Sequence, residues 1–430
     1  MQSSAVRAIL PPRVHAKAWY VGESLIGALL ARWGPRGVDA ALDSFLQRQG
    51  PQLQQLNSYS RRWLKDTVYH FVKHKTLFEH ATGRVNMTPA EYLVEAQRAD
   101  VSAMQQNTGL PTHIRASCPL ELFEVLKQQL GSEEKALQFC LTSHERGPTT
   151  LHIKPGTSPS RVAQILQEVH QAGATVEPLA KVPKYGYRLD KNVKLLERSC
   201  YKSGLYRLMD EGSMHVASLV RPGPTETVLD YCAGAGTKTI LIGWRMANKG
   251  HICVYDKREH ALCSALQRTA EVGITNVTPL VTYTARRRAG RQKGGALSPF
   301  QESEGYSNKV PVKRPITAFD WVLLDVPCTG TGTLRRHPEH KYRLDAAYVE
   351  RMVSMQQGVV KQGFGYLKKT PGSRLVYSTC SVLPAENEAQ RDMIEQTYPL
   401  RCVEEFKSDV TPGGMDGMYA AVFERTKVDW

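Results

Sequence analysis

From Thr225 onward, short apolar segments alternate with amphipathic helical segments, and this alternation constrains the fold more than any other feature. Buried strands separated by helices are typical of βαβ units, in which the strands form a parallel sheet. The predicted strands are TVLDYCA, HICVYDK, NVTPLV, FDWVLLD and SRLVYSTC. The helices between them are TKTILIGWRMAN, REHALCSALQRTAEVG and residues 345–369. The carboxy-terminal part of the chain is therefore predicted to be an α/β domain.

The amino-terminal half has a different character, and a chain of 430 residues is long enough for two or three domains. Residues 23–110 show apolar side chains three and four positions apart, which predicts a helical region. Residues 115–222 mix helical and strand patterns, including the strand TTLHIK and the helix SRVAQILQEVHQAG. We interpret residues 115–222 as an α+β subdomain of ordinary size.

The charge of the chain favours a polyanionic partner. The formal net charge is +15, and nucleic acid is the commonest partner of so basic a protein. Residues 284–318 interrupt the strand–helix alternation with eight basic and two acidic residues. We expect this basic insertion, if it is more than a solvated loop, to contact RNA phosphates. No run of 18 apolar residues occurs, so we expect no membrane span.

The first 22 residues contain Arg7, Arg13 and Lys17 but no acidic residue. This composition is typical of a mitochondrial transit peptide, and a basic arm that binds RNA is the alternative. The sequence therefore predicts a mitochondrial location, with a cytoplasmic or nucleolar one as the alternative.

Nine cysteines are scattered along the chain without a CxxC pair or a Cys/His set of zinc-ligand spacing. The sequence therefore predicts neither a metal site nor a disulfide framework, and a reducing compartment fits it better.

A glycine-rich turn follows the first predicted strand in VLDYCAGAGTKT, with Asp230 at the strand end. Gly234 and Gly236 allow the backbone to approach a ligand closely, and the helix that follows offers free N–H groups. Asp256, 20 residues after Gly236, ends the next strand, where an acid accepts hydrogen bonds from a ribose. Nicotinamide and adenosylmethionine sites both use this arrangement. An NTPase loop is rejected, because a threonine separates Gly236 from the lysine.

Two further strands each deliver a cysteine to the same predicted edge of the sheet. In FDWVLLDVPCTGTG a strand ends at Asp325, and a loop with proline and glycines presents Cys328. In RLVYSTCSVLPAENE another strand ends at Cys380. A lone cysteine is usually a small core residue, but two at strand ends beside a nucleoside-type loop predict covalent chemistry.

These motifs resemble the NSUN/Sun (RsmB-like) family of RNA 5-methylcytosine methyltransferases over residues 115–430. The matching segments are DVPCTGTG, STCSVLPAENE, LDYCAGAGTKT, MDEGSMHVASLV and DGMYAAVFER. The resemblance implies a Rossmann-like class I methyltransferase domain at 223–430, preceded by an RNA-binding subdomain at 115–222. The helical region is similar to a NusB-like domain in SYSRRWLKDTVYHFVKHKTLFE.

The resemblance also implies roles for individual residues. Cys380 would be the nucleophile that adds to carbon 6 of cytosine, and Cys328 would assist product release. Asp325 would hydrogen-bond the cytosine ring, and Lys238 would line the site. DNA cytosine methyltransferases use the Pro-Cys cysteine as the nucleophile instead, so the second cysteine favours RNA. The target base must be unpaired or flipped out to enter the pocket.

The implied cofactor is S-adenosyl-L-methionine, and the implied partner is RNA, above all rRNA in an assembling ribosomal subunit, with protein assembly factors as further partners. The residues expected to bind the cofactor are Asp230, Cys232, Ala233, Gly234, Ala235, Gly236, Thr237, Lys238, Asp256, Lys257, Asp325 and Pro327.

The chain departs from the family in two places. Ala235-Gly236-Thr237 stands where Pro-Gly-Gly is commoner, and NVTPLVTYTARR lacks the acid that usually contacts adenine. The alternative hypothesis is therefore an rRNA-binding ribosome-assembly factor of the same fold with reduced or lost methyltransferase activity. A nicotinamide dehydrogenase would explain the glycine turn but neither cysteine motif.

Overall fold

The structure, a computed structural model, describes residues 10–11, 13–31, 56–179, 185–280 and 318–426. Residues 32–55 of the predicted helical region and nearly all of the basic insertion 284–318 lie outside these residues. The helices are α1 Lys17–Ala31, α2 Ser58–Thr82, α3 Pro89–Arg98, α4 Val101–Gln106, α5 Thr112–Arg115, α6 Leu120–Leu130, α7 Glu133–Ser143, α8 Pro159–Gln171, α9 Ser199–Lys202, α10 Glu211–Leu219, α11 Thr237–Met246, α12 Glu259–Glu271, α13 Ala346–Phe364 and α14 Glu388–Thr397. The strands are β1 Thr149–Ile153, β2 Val176–Pro178, β3 Gly186–Leu189, β4 Tyr206–Leu208, β5 Thr227–Asp230, β6 His251–Val254, β7 Val277–Pro279, β8 Trp321–Asp325, β9 Arg374–Thr379, β10 Leu400–Ser408 and β11 Met418–Arg425.

The carboxy-terminal sheet has seven strands in the order β10-β11-β9-β8-β5-β6-β7. The five strands from β9 to β7 are parallel, and β11 and β10 add an antiparallel edge. This is the Rossmann-like arrangement that the alternation of strands and helices predicts. The chain order reverses beside β5, and ligands of open α/β sheets bind in the crevice at such a reversal.

The smaller sheet has four antiparallel strands in the order β2-β3-β1-β4. It packs with α8 around a separate apolar core that includes Leu151, Ile165 and Tyr206. Three helices assigned by sequence to the α+β subdomain pack elsewhere, however. Helices α6 and α7 share a core with segments that follow β8 and β9, and α10 shares a core with the large sheet. Their apolar faces therefore join the subdomain to the methyltransferase domain.

The amino-terminal helices α1, α2 and α3 pack around a third core that includes Leu25, Phe71 and Tyr92. Thr88 begins α3 with a reciprocal capping box, in which its side chain and that of Glu91 each bond the other's backbone N–H. Helix α1 begins at Lys17, so the predicted boundary at residue 22 falls inside a helix. Among the described helices, none combines the length and the hydropathy needed to cross a membrane.

The long helix predicted over 345–369 is shorter in the structure. Asp345 caps α13 by accepting a hydrogen bond from the Tyr348 N–H, and the helix ends at Phe364. Residues 367–369 then run beside β8, because the Phe319 and Lys368 N–H groups bond the carbonyls of Tyr366 and Phe319. This pairing ends α13 at Phe364, five residues before the predicted end at residue 369.

Candidate active site

The two cysteines predicted to act together lie in contact. Cys328 Sγ and Cys380 Sγ are 3.3 Å apart, although 52 residues separate them in sequence. The contact follows from the sheet, because β8 and β9 are parallel neighbours with Asp325 opposite Ser378. Each strand ends at the same edge, and the loops that continue from them meet there. The Gly332 N–H also donates to the Cys380 carbonyl, which fixes one loop against the other.

Asp325 receives hydrogen bonds from two sides. Lys238 Nζ donates to Asp325 Oδ2 at 2.6 Å, and Ser378 Oγ donates to Asp325 Oδ1 at 2.9 Å. Burial acts to lower the pKa of Lys238, but the charges of Asp325 and Cys380 outweigh it and raise that pKa above its usual value. Lys238 is therefore a buried ammonium that faces both the carboxylate and the Cys380 sulfur.

The pair of thiols holds one proton firmly on Cys328. The hydrogen bond to Cys380 and then burial raise the pKa of Cys328 well above its ordinary value, and Glu386 adds to this effect. Two sulfurs 3.3 Å apart do not readily both ionise, because like charges repel in a poorly solvated site. Ionisation of Cys328 is therefore disfavoured while Cys380 lies in contact with it.

The glycine turn and Asp256 form a second, adjoining group. The Gly234 N–H donates to Asp256 Oδ2 at 2.9 Å. Gly234 and Gly236 have φ of 54° and 78°, which side chains rarely adopt, and a Cβ on Gly236 would lie 2.9 Å from the Ala265 Cα. The glycines therefore allow the tight turn that brings β5, α11 and α12 together.

This group fits a nucleoside cofactor. Gly236 begins α11 without a side-chain cap, so the positive end of the helix is left for a ligand. Burial acts to raise the pKa of Asp256, but hydrogen bonds from Arg258 lower it, so the carboxylate stays ionised. The Arg258 side chain is 63% exposed, so ribose hydroxyls can displace it from the carboxylate at little cost.

The remaining residues expected at the cofactor site occupy different positions. Cys232, Ala233 and Thr237 are partly buried in the turn, whereas Ala235, Lys257 and Pro327 are exposed. Asp230 differs most from the expectation, because its carboxylate is buried and accepts a hydrogen bond from Thr239 Oγ1 at 2.7 Å. In this structure Asp230 therefore stabilises the glycine turn from the interior of the domain.

Sequence reasoning missed three side chains that contact the site: Ser378, Gln356 and Arg258. Ser378 was detectable, because alternation along β9 places it on the same face as Cys380, two residues later. Arg258 was detectable as the basic residue two positions after the strand-end acid. Gln356 was not, because it reaches the Cys328 loop from the middle of α13.

One group of potential metal ligands stands near the site. Atoms of His337, Glu339 and His340 lie within 4.8 Å of one another. The two imidazole rings are stacked with an interplanar angle of 17°, so their in-plane lone pairs do not converge on one ion. We therefore assign no metal to them.

The sheet and the adjoining glycine turn have the fold of a class I methyltransferase domain. Residues 217–413 match the family model described as 16S rRNA methyltransferase RsmB/F. The chain is thus similar to the NSUN/Sun (RsmB-like) family over these residues, and the residues around Gly234 and Asp256 fit S-adenosylmethionine, the cofactor that this similarity implies.

The chain is also similar to individual named proteins. A probable ribosomal RNA small subunit methyltransferase B from Synechocystis is 30% identical over 284 residues, 66% of this chain and 57% of that protein. The human 28S rRNA (cytosine(4447)-C(5))-methyltransferase is 27% identical over 56% of this chain and 27% of its own length. The chain spans about half the length of the bacterial relatives it matches first, 57% and 51%.

Solved structures share the fold at low sequence identity. The crystal structure of PH0851 superposes with a TM-score of 0.71 at 19% identity and covers 96% of this chain and 99% of that chain. NSun6 from Pyrococcus horikoshii, crystallised with SFG, gives a TM-score of 0.56 at 16% identity over 72% of this chain and 98% of that chain. The first match covers nearly the whole chain, so the similarity of fold extends beyond the carboxy-terminal sheet.

Proposed function

We propose that this protein is an S-adenosylmethionine-dependent RNA cytosine-C5 methyltransferase that works through a covalent Cys380–cytosine adduct. The observation that carries the proposal is the contact between Cys328 and Cys380 beside Asp325. A single thiol serves addition, whereas a second thiol in contact with it serves removal of the adduct.

The first step uses Cys380 as the nucleophile. Its thiolate adds to carbon 6 of a cytosine, which makes carbon 5 electron-rich. Asp325, whose side chain is 30% exposed, hydrogen-bonds the cytosine ring while Lys238 holds the other side of the carboxylate. The bound cofactor supplies the electrophilic methyl group that carbon 5 takes up.

The second step releases the product through Cys328. Once Cys380 is bonded to carbon 6, the thiolate charge that opposes ionisation of Cys328 is gone. Cys328 can then lose its proton to solvent and accept the proton from carbon 5. The electrons of that C–H bond re-form the ring double bond and expel the Cys380 thiolate.

Paired cysteine variants test this mechanism. Cys380→Ala should abolish methylation, because no adduct forms. Cys328→Ala should trap a covalent enzyme–RNA adduct that survives denaturing electrophoresis. Cys263→Ala, which changes an exposed cysteine on α12, is the matched control and should behave as the wild type. Methylation that persists in Cys380→Ala, mapped by bisulfite sequencing of RNA, would refute the mechanism.

The substrate that we propose is rRNA in an assembling ribosomal subunit, with assembly factors as protein partners. The relatives are named for small-subunit and 28S rRNA, and the net charge of +15 suits a polyanion. Crosslinking of the protein to RNA in cells, followed by sequencing, identifies the bound RNA. Crosslinks that fall mainly on tRNA or mRNA would contradict this assignment.

A ribosome-assembly factor without methyltransferase activity is the second candidate. The observation that favours it is the end of β7, where Val277–Pro279 and Leu280 provide no acid for an adenine ring. Calorimetry with S-adenosylmethionine separates the two candidates. Binding together with methyl transfer supports the enzyme, and RNA binding without either supports the assembly factor.

We further propose a mitochondrial location, which rests on the acid-free composition of residues 1–22. Residues 1–22 fused to a fluorescent protein should reach mitochondria, and replacement of Arg7 and Arg13 by Gln should prevent this. A fusion that stays cytoplasmic or enters the nucleolus would contradict the proposal.

A further inference from the structure

Glu386 is a fully buried carboxylate beside the Cys328 loop. It is 0% exposed and lies in the short 3-10 turn Pro384–Glu386 that follows the Cys380 strand. The Thr329 N–H and Gln356 Nε2 donate to Glu386 Oε1 at 2.9 and 2.8 Å, and Thr329 Oγ1 donates to Oε2 at 2.5 Å. These partners act as donors toward both oxygens, so the site is built for the ionised carboxylate.

The same carboxylate holds the peptide groups on both sides of Cys328. After Cys328, the Thr329 N–H bonds Glu386 directly. Before it, the Pro327 carbonyl accepts a hydrogen bond at 3.1 Å from Gln356 Nε2, the group that also bonds Glu386. Tyr377 OH completes the network with a 2.7 Å hydrogen bond to the Glu386 carbonyl. The position of the Cys328 sulfur therefore depends on Glu386.

Opposite charges flank the two thiols. The ionisable groups that face Cys328 are Cys380, Glu386 and Tyr377. Each of these groups carries either a negative charge or no charge. Cys380 instead faces the ammonium of Lys238. Glu386 therefore places a buried carboxylate on the Cys328 side of the pair, where it opposes ionisation of the Cys328 thiol, whereas Lys238 on the other side is itself paired with Asp325.

We propose that Glu386 is a positioning residue of the cysteine pair, which holds the Cys328 loop in place through Thr329 and Gln356 and places a buried carboxylate beside Cys328. The consequence for turnover rests on the proposed function. The ionisation of Cys328 is a property of the free protein and is measured without RNA or methyl donor, so the two ideas fail separately.

Alkylation of the full-length protein by iodoacetamide tests the charge. Mass spectrometry gives the labelling rates of Cys328 and Cys380 in the same sample between pH 6 and 9. In Glu386→Gln the ratio of the Cys328 rate to the Cys380 rate should rise about tenfold, because one pKa unit changes the thiolate fraction tenfold. Glu388→Gln removes a charge two residues away that pairs with Lys407 instead, and should leave the ratio unchanged.

A ratio in folded Glu386→Gln equal to that of the wild type would overturn the charge part of the proposal. If this variant does not fold, Cys380→Ser provides the measurement instead. There Glu386 still faces Cys328, so Cys328 should be labelled only at higher pH than the exposed Cys263 of the same molecule. If Cys328 and Cys263 of this variant were labelled with the same pH midpoint, the charge part of the proposal would likewise be overturned.

Gln356→Met tests the positioning part, because it removes the link to Pro327 while the Glu386 charge remains. The ratio of the two labelling rates should stay as in the wild type. The kcat for methylation should fall at least tenfold with little change in KM, since RNA binding does not involve Gln356. An unchanged kcat would show that the clamp does not position Cys328.

Discussion

At the scale of single residues, strand-end carboxylates of one sheet behave differently because their surroundings differ. Asp256 lies near solvent beside Arg258, which lowers its pKa despite partial burial. Asp230 is buried on the neighbouring strand. Burial raises its pKa to about 7, because the hydrogen bond from Thr239, which lowers the pKa, is the weaker effect. The same residue type in the same kind of position therefore gives a stable anion in one case and a pH-sensitive group in the other.

Asp230 should make stability fall as pH rises. Its folded pKa lies above its ordinary value, so the folded protein binds more protons than the unfolded chain between pH 4 and 7. The loss of stability caused by burial of the ionised carboxylate is complete above about pH 7. From pH 5 to 8 the wild type should lose about 2–3 kcal/mol relative to Asp230→Asn. Urea unfolding at both pH values measures this, with the exposed Asp392→Asn as control. A constant difference between wild type and Asp230→Asn would contradict it.

At the scale of elements, backbone hydrogen bonds join the cysteine loops in addition to the side-chain bonds of Glu386. The Gly332 N–H bonds the Cys380 carbonyl, and the Gly417 N–H of the closing hairpin bonds the Gly332 carbonyl. The hairpin, the loop after β8 and the loop after β9 therefore meet at Gly332. Arg336 reinforces this junction with ion pairs to Asp416 and Asp210.

Gly332→Ala should disturb this junction. The added Cβ would lie 1.9 Å from the Gly417 carbonyl oxygen, a backbone atom that no change of rotamer can move. We expect a loss of about 1–3 kcal/mol of stability, typical of overpacking, together with loss of adduct formation. Gly358→Ala is the matched control in α13, where nothing lies within 4 Å, and it should stabilise by about 0.5–1 kcal/mol. Thermal unfolding measures the stability of both variants, and gel electrophoresis detects their covalent RNA adducts. Equal results for the two variants would contradict the prediction.

At the scale of the whole molecule, the helical region is fastened to the active-site side of the methyltransferase domain. The 3-10 segment Pro338–Arg343 follows the Cys328 loop and packs on α2. Tyr342 OH donates to the Val72 carbonyl at 2.8 Å, and Lys341 Nζ donates to the Lys73 carbonyl. The amino-terminal helices therefore support the catalytic loops from outside.

Loss of this attachment should weaken the whole protein. Tyr342→Phe removes the hydrogen bond to the Val72 carbonyl and should cost about 1 kcal/mol. Tyr342→Ala also removes packing against the helical core and should cost more. Tyr59→Ala, on the exposed side of α2, is the control and should change stability by less than about 0.5 kcal/mol. If denaturant unfolding gave the same loss of stability for Tyr342→Ala as for Tyr59→Ala, the result would contradict the proposed attachment of the helical region.

Much of the fold and part of the site follow from local patterns in the sequence. Apolar runs mark β5, β6, β8 and β9, because a strand buried on both faces needs them. Strand-end residues such as Asp325 and Cys380 could be placed at one edge, because parallel strands end together. The domain boundaries were harder to place, since α6 and α10 have amphipathic patterns that do not say which core they join.

By itself, the sequence determined the parallel sheet, the glycine turn and the two cysteine loops, since each depends on neighbouring residues and on backbone geometry. Only the tertiary structure decided that the two sulfurs lie 3.3 Å apart, that Asp230 faces inward and that Glu386 holds the Cys328 loop. These facts depend on the register between strands and on side chains from distant elements. Local propensity does not specify such long-range contacts, because they form only when the separate cores pack together.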